Sequence, residues 1–460
     1  MEQSGSVLNF EQEVTALEQE ASNLKIKQKP TSQNVKSAIK LIKANIHTLQ
    51  PSANSLVWSE ERIIIDLGSM YIKFGFSIVS KPQLILPVYH ERLEEHLGYI
   101  EKYLGFYSTR FNELVESLGG EYLFYDKLYF IFSLLFGIQI ANAAHRKRLL
   151  ILENVYLPLQ FKRLIATVLL EKFQVASISF LNAQLSALLS SGESEGIVVD
   201  VGNLETIIVV VSDGRVLNNY TITSPLAGKR VTEHLKQLLL SYSELYDESG
   251  NEVKLESEML SVKFMEEFKL RYLTISKQLN ENKQMNIQST EYEEYYQSMA
   301  KIKNSSILLK YQNQSYKLLV PGWIREFTYD CLFNDNEYPD ELSPSTALLQ
   351  VLKKLPMDLK KLSSKILLCG GITNQVNFNY RFLKQVMESL SHNNRYENIQ
   401  YLINYIQLLN NNKIFNNAHL PWVGASIATN IRSIQDDILL EHYEQNNNIL
   451  IPDWINKNLK

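Results

Sequence analysis

The chain has 460 residues, of which 45% are hydrophobic, enough to bury the cores of roughly two to four domains of ordinary size. Its 46 basic and 50 acidic residues give a net charge of -4, so overall charge does not attract nucleic acid or acidic lipid, and any partner must be recognised locally. The two cysteines, Cys331 and Cys369, lack CxxC spacing, which predicts neither a disulfide framework nor a zinc site and favours a reducing compartment.

Residues 1–58 differ in character from the rest of the chain. Two runs of apolar residues at helical spacing predict two amphipathic helices, separated by Pro30. Residues 1–24 are acidic, whereas the charged residues among 25–43 are all lysines. Two interpretations stay open: a solvated, partly disordered tail, or a helical arm that docks on a partner. The acidic start has no apolar stretch typical of a signal peptide, so secretion is not expected.

Two predicted β-hairpins share one sequence pattern. Each runs a β-branched strand into Asp-x-Gly and out into a second strand, at residues 63–77 with Asp66 and at residues 196–211 with Asp200. If the two turns face each other across a cleft, their backbone N–H groups would meet a phosphate chain and their aspartates a hydrated Mg²⁺ ion. The alternative, two ordinary hairpins with Asp and Gly in their turns, stays open.

Strands and helices alternate between the two hairpins. The apolar run at residues 128–141 is shorter than the about 20 residues of a membrane span and predicts a buried core helix. The remainder of residues 76–147 also predicts helix. A strand, a helix, a strand and a helix follow, an order that predicts parallel or mixed sheets flanked by helices: residues 147–155, 160–173, 175–181 and 182–191.

The sequence is less regular beyond the second hairpin. Residues 231–283 predict mainly helices, and residues 362–375 predict a strand that runs into the turn Gly370–Gly371. A Gly-Gly pair after a strand lets the backbone approach a flat ligand such as adenine closely. The Asn-rich segments at residues 409–417 and 444–448 predict loops, and we expect no catalytic or binding residues in them.

Three of the segments above resemble the actin and Hsp70 ATPase superfamily in their sequence and order. They are the two Asp-x-Gly hairpins and the strand that runs into Gly370–Gly371. The segments LAGKRVTEHL at residues 226–235 and WVGASI at residues 422–427 are similar to segments of actin itself. The resemblance extends from residue 63 to the C-terminus. Within the family the chain looks closest to the actin-related proteins that cap the pointed end of the dynactin filament, through the sequences LLILENVYLP, FKRLIATVLLEKFQV, FKLR, HYEQNNN and IPDW.

This resemblance implies an actin-like α/β fold of two lobes, with mixed sheets flanked by helices and an N-terminal helical extension. The implied first lobe comprises residues 59–195, to which residues 422–460 return, and the second lobe comprises residues 196–421. The extension comprises residues 1–58.

The resemblance also implies which residues would hold ATP or ADP with Mg²⁺. Asp66 and Asp200 would face the metal through water, and Lys269 would contact the base. The full implied set adds the first phosphate loop, the second phosphate loop and the adenine turn: Gly68, Ser69, Lys73, Gly202, Gly370 and Gly371.

Several departures from actin argue against nucleotide turnover. Met70 stands where actin has a second glycine, and Asn203 and Leu204 stand where it has Asp-Gly. Leu270 replaces the glutamate that holds the ribose. The glutamine that orients the attacking water maps onto Ala183, flanked by Asn182 and Gln184. Without that residue the water is not activated, so we expect no catalytic residues and a nucleotide that is structural or absent.

The function implied by the resemblance is scaffolding. Residues 76–147 lack actin's Gly-Asp-Glu-Ala stretch and the loop that plugs into a neighbouring subunit, so a filament is accepted on one side only. We expect a cytoplasmic, cytoskeletal subunit of a hetero-oligomer that caps the pointed end of dynactin beside filament subunits and other pointed-end subunits, with no nucleic acid and no direct membrane contact. The alternatives are an actin-related subunit of a nuclear chromatin remodeller, and an active ATPase or sugar kinase of the superfamily.

Overall fold

The structure, a computed structural model, describes residues 62–77, 79–87, 121–139, 147–278, 289–335, 340–409, 415–430 and 437–446. The predicted N-terminal extension, most of the stretch that was compared with actin's plug loop, and the IPDW motif lie outside the described residues.

In chain order the described strands are β1 (Arg62–Leu67), β2 (Tyr71–Phe76), β3 (Leu84–Pro87), β4 (Arg148–Glu153), β5 (Ser177–Asn182), β6 (Gly196–Val201), β7 (Thr206–Ser212), β8 (Arg215–Val216), β9 (Ile222–Ser224), β10 (Glu244–Tyr246), β11 (Glu252–Val253), β12 (Ser305–Tyr311), β13 (Gln314–Val320), β14 (Ile366–Cys369) and β15 (Ile438–Leu439). They include both predicted hairpins, as β1–β2 and β6–β7, and the strands predicted within residues 147–155, 175–181 and 362–375, as β4, β5 and β14.

Helices separate most of these strands. In chain order the described α-helices are α1 (Glu121–Gln139), α2 (Leu159–Thr167), α3 (Ala183–Leu189), α4 (Gly228–Tyr242), α5 (Val262–Tyr272), α6 (Thr290–Met299), α7 (Gly322–Phe327), α8 (Asp330–Phe333), α9 (Pro344–Lys354), α10 (Phe378–His392), α11 (Leu420–Asn430) and α12 (Leu440–Asn446). A π-helical turn, Val168–Lys172, continues α2. No helix in the described ranges is both long enough and apolar enough to cross a membrane.

Two of the three sheets that the described strands form have the same central arrangement. The first sheet has the order β15-β5-β4-β1-β2-β3, and the second has β14-β6-β7-β8 with β9 beside β7. In each sheet the first strand of a predicted hairpin pairs antiparallel with its own hairpin partner and parallel with a distant strand, β4 or β14. This repetition confirms both hairpins and brings Asp66 and Asp200 to equivalent positions near the carboxyl ends of their strands.

Both faces of the first sheet are covered by other elements. Strand β1 therefore has three consecutive isoleucines instead of apolar residues that alternate with polar ones. Successive side chains point to opposite faces. Ile63 and Ile65 join the core formed with α1 and α2, whereas Ile64 packs with Trp422 of α11. The apolar run in α1 is therefore a core helix, as its length predicted.

Helices α3 and α11 lie together between the two sheets. Trp422 of α11 belongs to the cluster on the first sheet, and Leu188 of α3 belongs to the cluster on the second. A Cβ on Gly424 would lie 1.6 Å from the carbonyl oxygen of Ser186, so only glycine permits this approach. The Ser186 hydroxyl donates to the carbonyl of Pro421 at 2.6 Å. The WVGASI segment thus fixes how closely the helix pair packs.

Three short strands correct the sequence predictions. Residues 231–283 were predicted to be mainly helical, yet β10 and β11 lie between α4 and α5 and join β12 and β13 in a four-stranded sheet. The stretch 76–147 was predicted to be helical, yet β3 pairs with β2. Each of these strands has two to four residues, too few to show a period of two, and each forms because a longer neighbour supplies its hydrogen bonds.

The Asn-rich segment at residues 444–448 was predicted to be a loop. Its described part, residues 444–446, is the last turn of α12. The C-terminal elements β15 and α11 lie against the first sheet: β15 pairs with β5, and Asp437 binds the buried Arg62 of β1 through two hydrogen bonds of 2.6 and 3.0 Å. The predicted lobe boundaries stay predictions.

Candidate functional site

A cleft of about 420 Å³ opens at the carboxyl ends of the central strands of both sheets. This volume falls in the range of small-molecule sites. Its walls come from both hairpin turns, the start of α3, the middle of α5 and the turn after β14. Every residue of the predicted site lines it: Asp66, Gly68, Ser69, Lys73, Asp200, Gly202, Lys269, Gly370 and Gly371.

The aspartate of the first hairpin is neutralised by its neighbour across the ladder. Asp66 and Lys73 are directly opposite in the β1–β2 register, which brings their side chains to the same face. The Lys73 Nζ lies 2.6 Å from the Asp66 Oδ2, and both side chains are largely buried, at 14% and 17% exposure. The first hairpin therefore holds an internal ion pair in the cleft wall.

The aspartate of the second hairpin has no such cation opposite it. In the β6–β7 register Asp200 faces Ile207. Its carboxylate instead accepts a 2.9 Å hydrogen bond from the Nε2 of Gln184. Burial, the largest cause, raises the pKa of Asp200, while Gln184 and the nearby charge of Lys73 act in the opposite direction. The two hairpins match in backbone but differ in electrostatics.

Sequence reasoning named Gln184 only as a neighbour of Ala183 and missed its contact. Asn182 caps α3 by accepting from the backbone N–H of Leu185 at 2.8 Å, which fixes where the helix begins. Ala183 then lines the cleft with a methyl group, and Gln184, one residue on, reaches the floor beneath it. That Ala183 takes the place of actin's water-orienting glutamine stays a prediction from the resemblance.

Lys269, the predicted base contact, is engaged within the second lobe. Its Nζ lies 2.5 Å from the Glu266 carboxylate on the preceding turn of α5 and donates to the Thr232 hydroxyl at 2.6 Å. Leu270, which stands where actin has the ribose-binding glutamate, is 65% exposed at the edge of the cleft. This wall offers an apolar surface in place of a hydroxyl-binding carboxylate.

The Gly370–Gly371 turn passes close to the second hairpin. Gly370 has φ of +91°, and a Cβ there would lie 2.3 Å from the carbonyl oxygen of Val201. A side chain at Gly371, in contrast, would meet nothing within 4 Å. Gly370 is required by packing and backbone conformation. Gly371 leaves open the space that a flat ligand needs.

The Asn-rich segment before α11 contributes to the cleft, which sequence reasoning did not foresee. Asn416 accepts a 2.7 Å hydrogen bond from Asn374, and Asn417 donates to the hydroxyl of Thr373 at 2.9 Å. These contacts tie the segment to the turn after Gly371. His419 also lines the cleft, and burial, followed by the charge of Lys73, lowers the pKa of that imidazole to about 4.

The site fits a nucleotide in size and in its glycine turn, but its carboxylates do not fit the metal. Asp66 is paired with Lys73, and Asp200 is held by Gln184, so each already has an internal partner. Among the described residues, no group of three or more His, Cys, Asp or Glu is arranged to hold a metal ion. Whether these residues bind a nucleotide stays a prediction.

Comparison with known proteins gives a consistent result. Residues 59–449 match the family model described as Actin. The chain is 24% identical over 446 residues to Actin-related protein 10 of Dictyostelium discoideum, which covers 86% of this chain and 89% of that protein. It is 26% identical over 353 residues to Centractin of Saccharomyces cerevisiae, covering 72% of this chain and 83% of that protein. The predicted α/β fold is confirmed, and the chain belongs to the actin family.

Proposed function

We propose that this protein is a non-catalytic actin-related scaffold subunit that caps the pointed end of the short actin-related filament of dynactin and so supports dynein-driven transport along microtubules. Membership of the actin family and similarity to Actin-related protein 10 and Centractin support an actin-related role. The sequence resemblance to pointed-end proteins supports a position at the end of the filament.

The observation that carries the non-catalytic part is the methyl group of Ala183 in the cleft wall. Hydrolysis of a phosphoanhydride needs a residue that orients the attacking water. An alanine has no group to do so, and the nearest amide, that of Gln184, is committed to Asn154 and Asp200. A nucleotide held here would stabilise the closed lobes without being consumed.

The chain's own groups define what such a nucleotide would meet. Backbone at Gly68, Ser69 and Gly202 would approach its phosphates, and the open face of Gly371 would accept its base. A bound nucleotide supplies charge and contact area between the two hairpins. Its role in this proposal is structural.

The capping part rests on the sequence between the first hairpin and β4. An internal filament subunit needs contacts on both ends, whereas this chain lacks the Gly-Asp-Glu-Ala stretch and the plug loop of actin. A subunit with one filament-binding end closes the assembly. The partners would be actin-related filament subunits and other pointed-end subunits, in the cytoplasm.

Purification of the tagged full chain with identification of its partners tests this proposal. We expect filament subunits of the actin-related family together with dynein-associated chains. Recovery of a helicase motor of a chromatin remodeller instead would contradict the proposal and support the nuclear alternative.

A phosphate-release assay tests the non-catalytic part separately. With Mg-ATP we expect no steady release above the buffer rate, because Ala183 stands at the position onto which actin's water-orienting glutamine maps. Steady release by the wild-type chain that Asp200→Ala abolishes would contradict the proposal and support an active ATPase.

A further inference from the structure

A chain of partly buried hydrogen bonds crosses the floor of the cleft from one lobe to the other. The amide of Gln184, in α3, donates to the Oδ1 of Asn154, after β4, at 3.0 Å and to the Oδ2 of Asp200, in β6, at 2.9 Å. Gln184 has no exposed surface. The two hydrogens of its amide nitrogen match the two acceptors, so the orientation of the amide is determined.

This amide cannot leave the carboxylate at low cost. The Oε1 of Gln184 is buried and has no hydrogen-bond partner among the described residues. Rotation away from Asp200 would add an unpaired donor to this unpaired acceptor, in a place that water does not reach. The surrounding packing therefore holds Gln184 on Asp200.

The two hairpins differ at this point. Asp66 has a lysine opposite it in the register, whereas Asp200 has Ile207 opposite it and accepts a hydrogen bond from Gln184. A carboxylate that faces a hydrated divalent ion needs free lone pairs toward the cleft. Here a neutral amide occupies the Oδ2 of Asp200, and a lysine occupies the Oδ2 of Asp66.

We infer that Gln184 is a positioning residue that takes Asp200 out of metal coordination and joins the two lobes in place of a metal. The cleft therefore accepts a phosphate-bearing ligand such as ATP without a divalent ion, and lobe closure does not depend on Mg²⁺. This inference rests on the proposed non-catalytic function and extends it to metal binding. If Mn²⁺ binding contradicts the inference, the proposed capping role is not affected.

Titration of the full chain with Mn²⁺, followed by electron paramagnetic resonance with and without ATP, tests the inference directly. For the wild-type chain we expect no bound Mn²⁺ beyond that held by ATP alone, and the same ATP response in Mn²⁺ and in EDTA. For Gln184→Ala we expect Mn²⁺ affinity to rise by about tenfold or more, because the ion would no longer have to displace a hydrogen bond to the charged carboxylate of Asp200.

Two further variants keep the test decisive. Gln184→Asn retains the amide but is one methylene too short to span both acceptors, so it should also gain Mn²⁺ if the alanine variant does not fold. Gln385→Ala removes an amide that donates to the carbonyl of Phe333 within the second lobe and should behave as wild type. Tight Mn²⁺ binding by the wild-type chain, or no gain in either Gln184 variant, would overturn the inference.

Discussion

At the scale of single residues, this protein balances its buried carboxylates in different ways. Asp66 has a lysine across the strand ladder, Asp200 has an amide, and Asp437 has the guanidinium of Arg62. An ion pair that is bidentate and shielded from water loses much when one partner is removed, because the remaining charge stays buried. The Arg62–Asp437 pair, with side chains 4% and 16% exposed, is such a case.

Asp437→Ala should lower the free energy of unfolding by about 3 kcal/mol, because the guanidinium of Arg62 would stay buried without the carboxylate that it now binds through two hydrogen bonds. Chemical denaturation of the two chains measures the difference. Asp358→Ala, at an exposed position, is the control and should change stability by less than about 0.5 kcal/mol. A loss below about 1 kcal/mol for the Asp437 variant would contradict this assignment.

His234 predicts a pH dependence of stability. Burial lowers the pKa of His234 to about 4, and its ring bonds the carbonyl of Thr328 and the hydroxyl of Tyr292. Between about pH 4 and pH 6.5 the unfolded chain therefore binds more protons than the folded chain, so stability falls as the pH falls through this window. His419, with a pKa lowered in the same direction, adds to the slope.

Replacement of His234 by glutamine should flatten this slope. Of the stability that the wild-type chain loses between pH 7 and pH 5, about 2 kcal/mol should be absent in the variant, because glutamine does not titrate. Denaturation curves at the two pH values measure this. His392→Gln, at an exposed site, should keep the wild-type slope, and an unchanged slope in the His234 variant would show that this residue does not carry the effect.

At the scale of elements, the long and strongly patterned segments could be predicted from the sequence. The isoleucine and valine runs of β1, β6 and β7 predict buried strands, and the apolar length of α1 predicts a core helix. The short strands β3, β10 and β11 could not be predicted, because each has only two to four residues and forms by pairing with another strand.

At the site, too, local features could be predicted from the sequence and long-range contacts could not. Asp66, Asp200 and the glycines could be assigned because turn chemistry is local. The contact of Gln184 with Asp200 could not, since it depends on where α3 begins relative to β6 and on the approach of the two lobes. The Asn416–Asn374 contact depends likewise on a neighbouring loop.

The helix pair α3–α11 gives a prediction at this scale. Gly424→Ala should destabilise the protein by about 3 kcal/mol, because the added Cβ would lie 1.6 Å from the carbonyl oxygen of Ser186 and the helices would have to separate. Gly371→Ala, whose Cβ meets nothing within 4 Å, is the matched control and should be close to wild type. Equal thermal stability of the two variants would contradict the close approach.

At the scale of the whole molecule, two lobes built on the same strand arrangement face one cleft. The family match over residues 59–449 covers both. The cleft keeps the backbone turns of a nucleotide site while its side chains bond to one another across the lobes. In the function proposed above, such a molecule would serve its assembly through its surfaces and not through a chemical cycle.

The most direct test of this account is the position of the subunit in its assembly. A small label on the full chain, located by electron microscopy of the purified complex, reports how many copies each filament holds and where they lie. The account predicts one label per filament, at the pointed end. Labels repeated along the filament length would contradict it, because the chain would then be an internal subunit with two filament-binding ends.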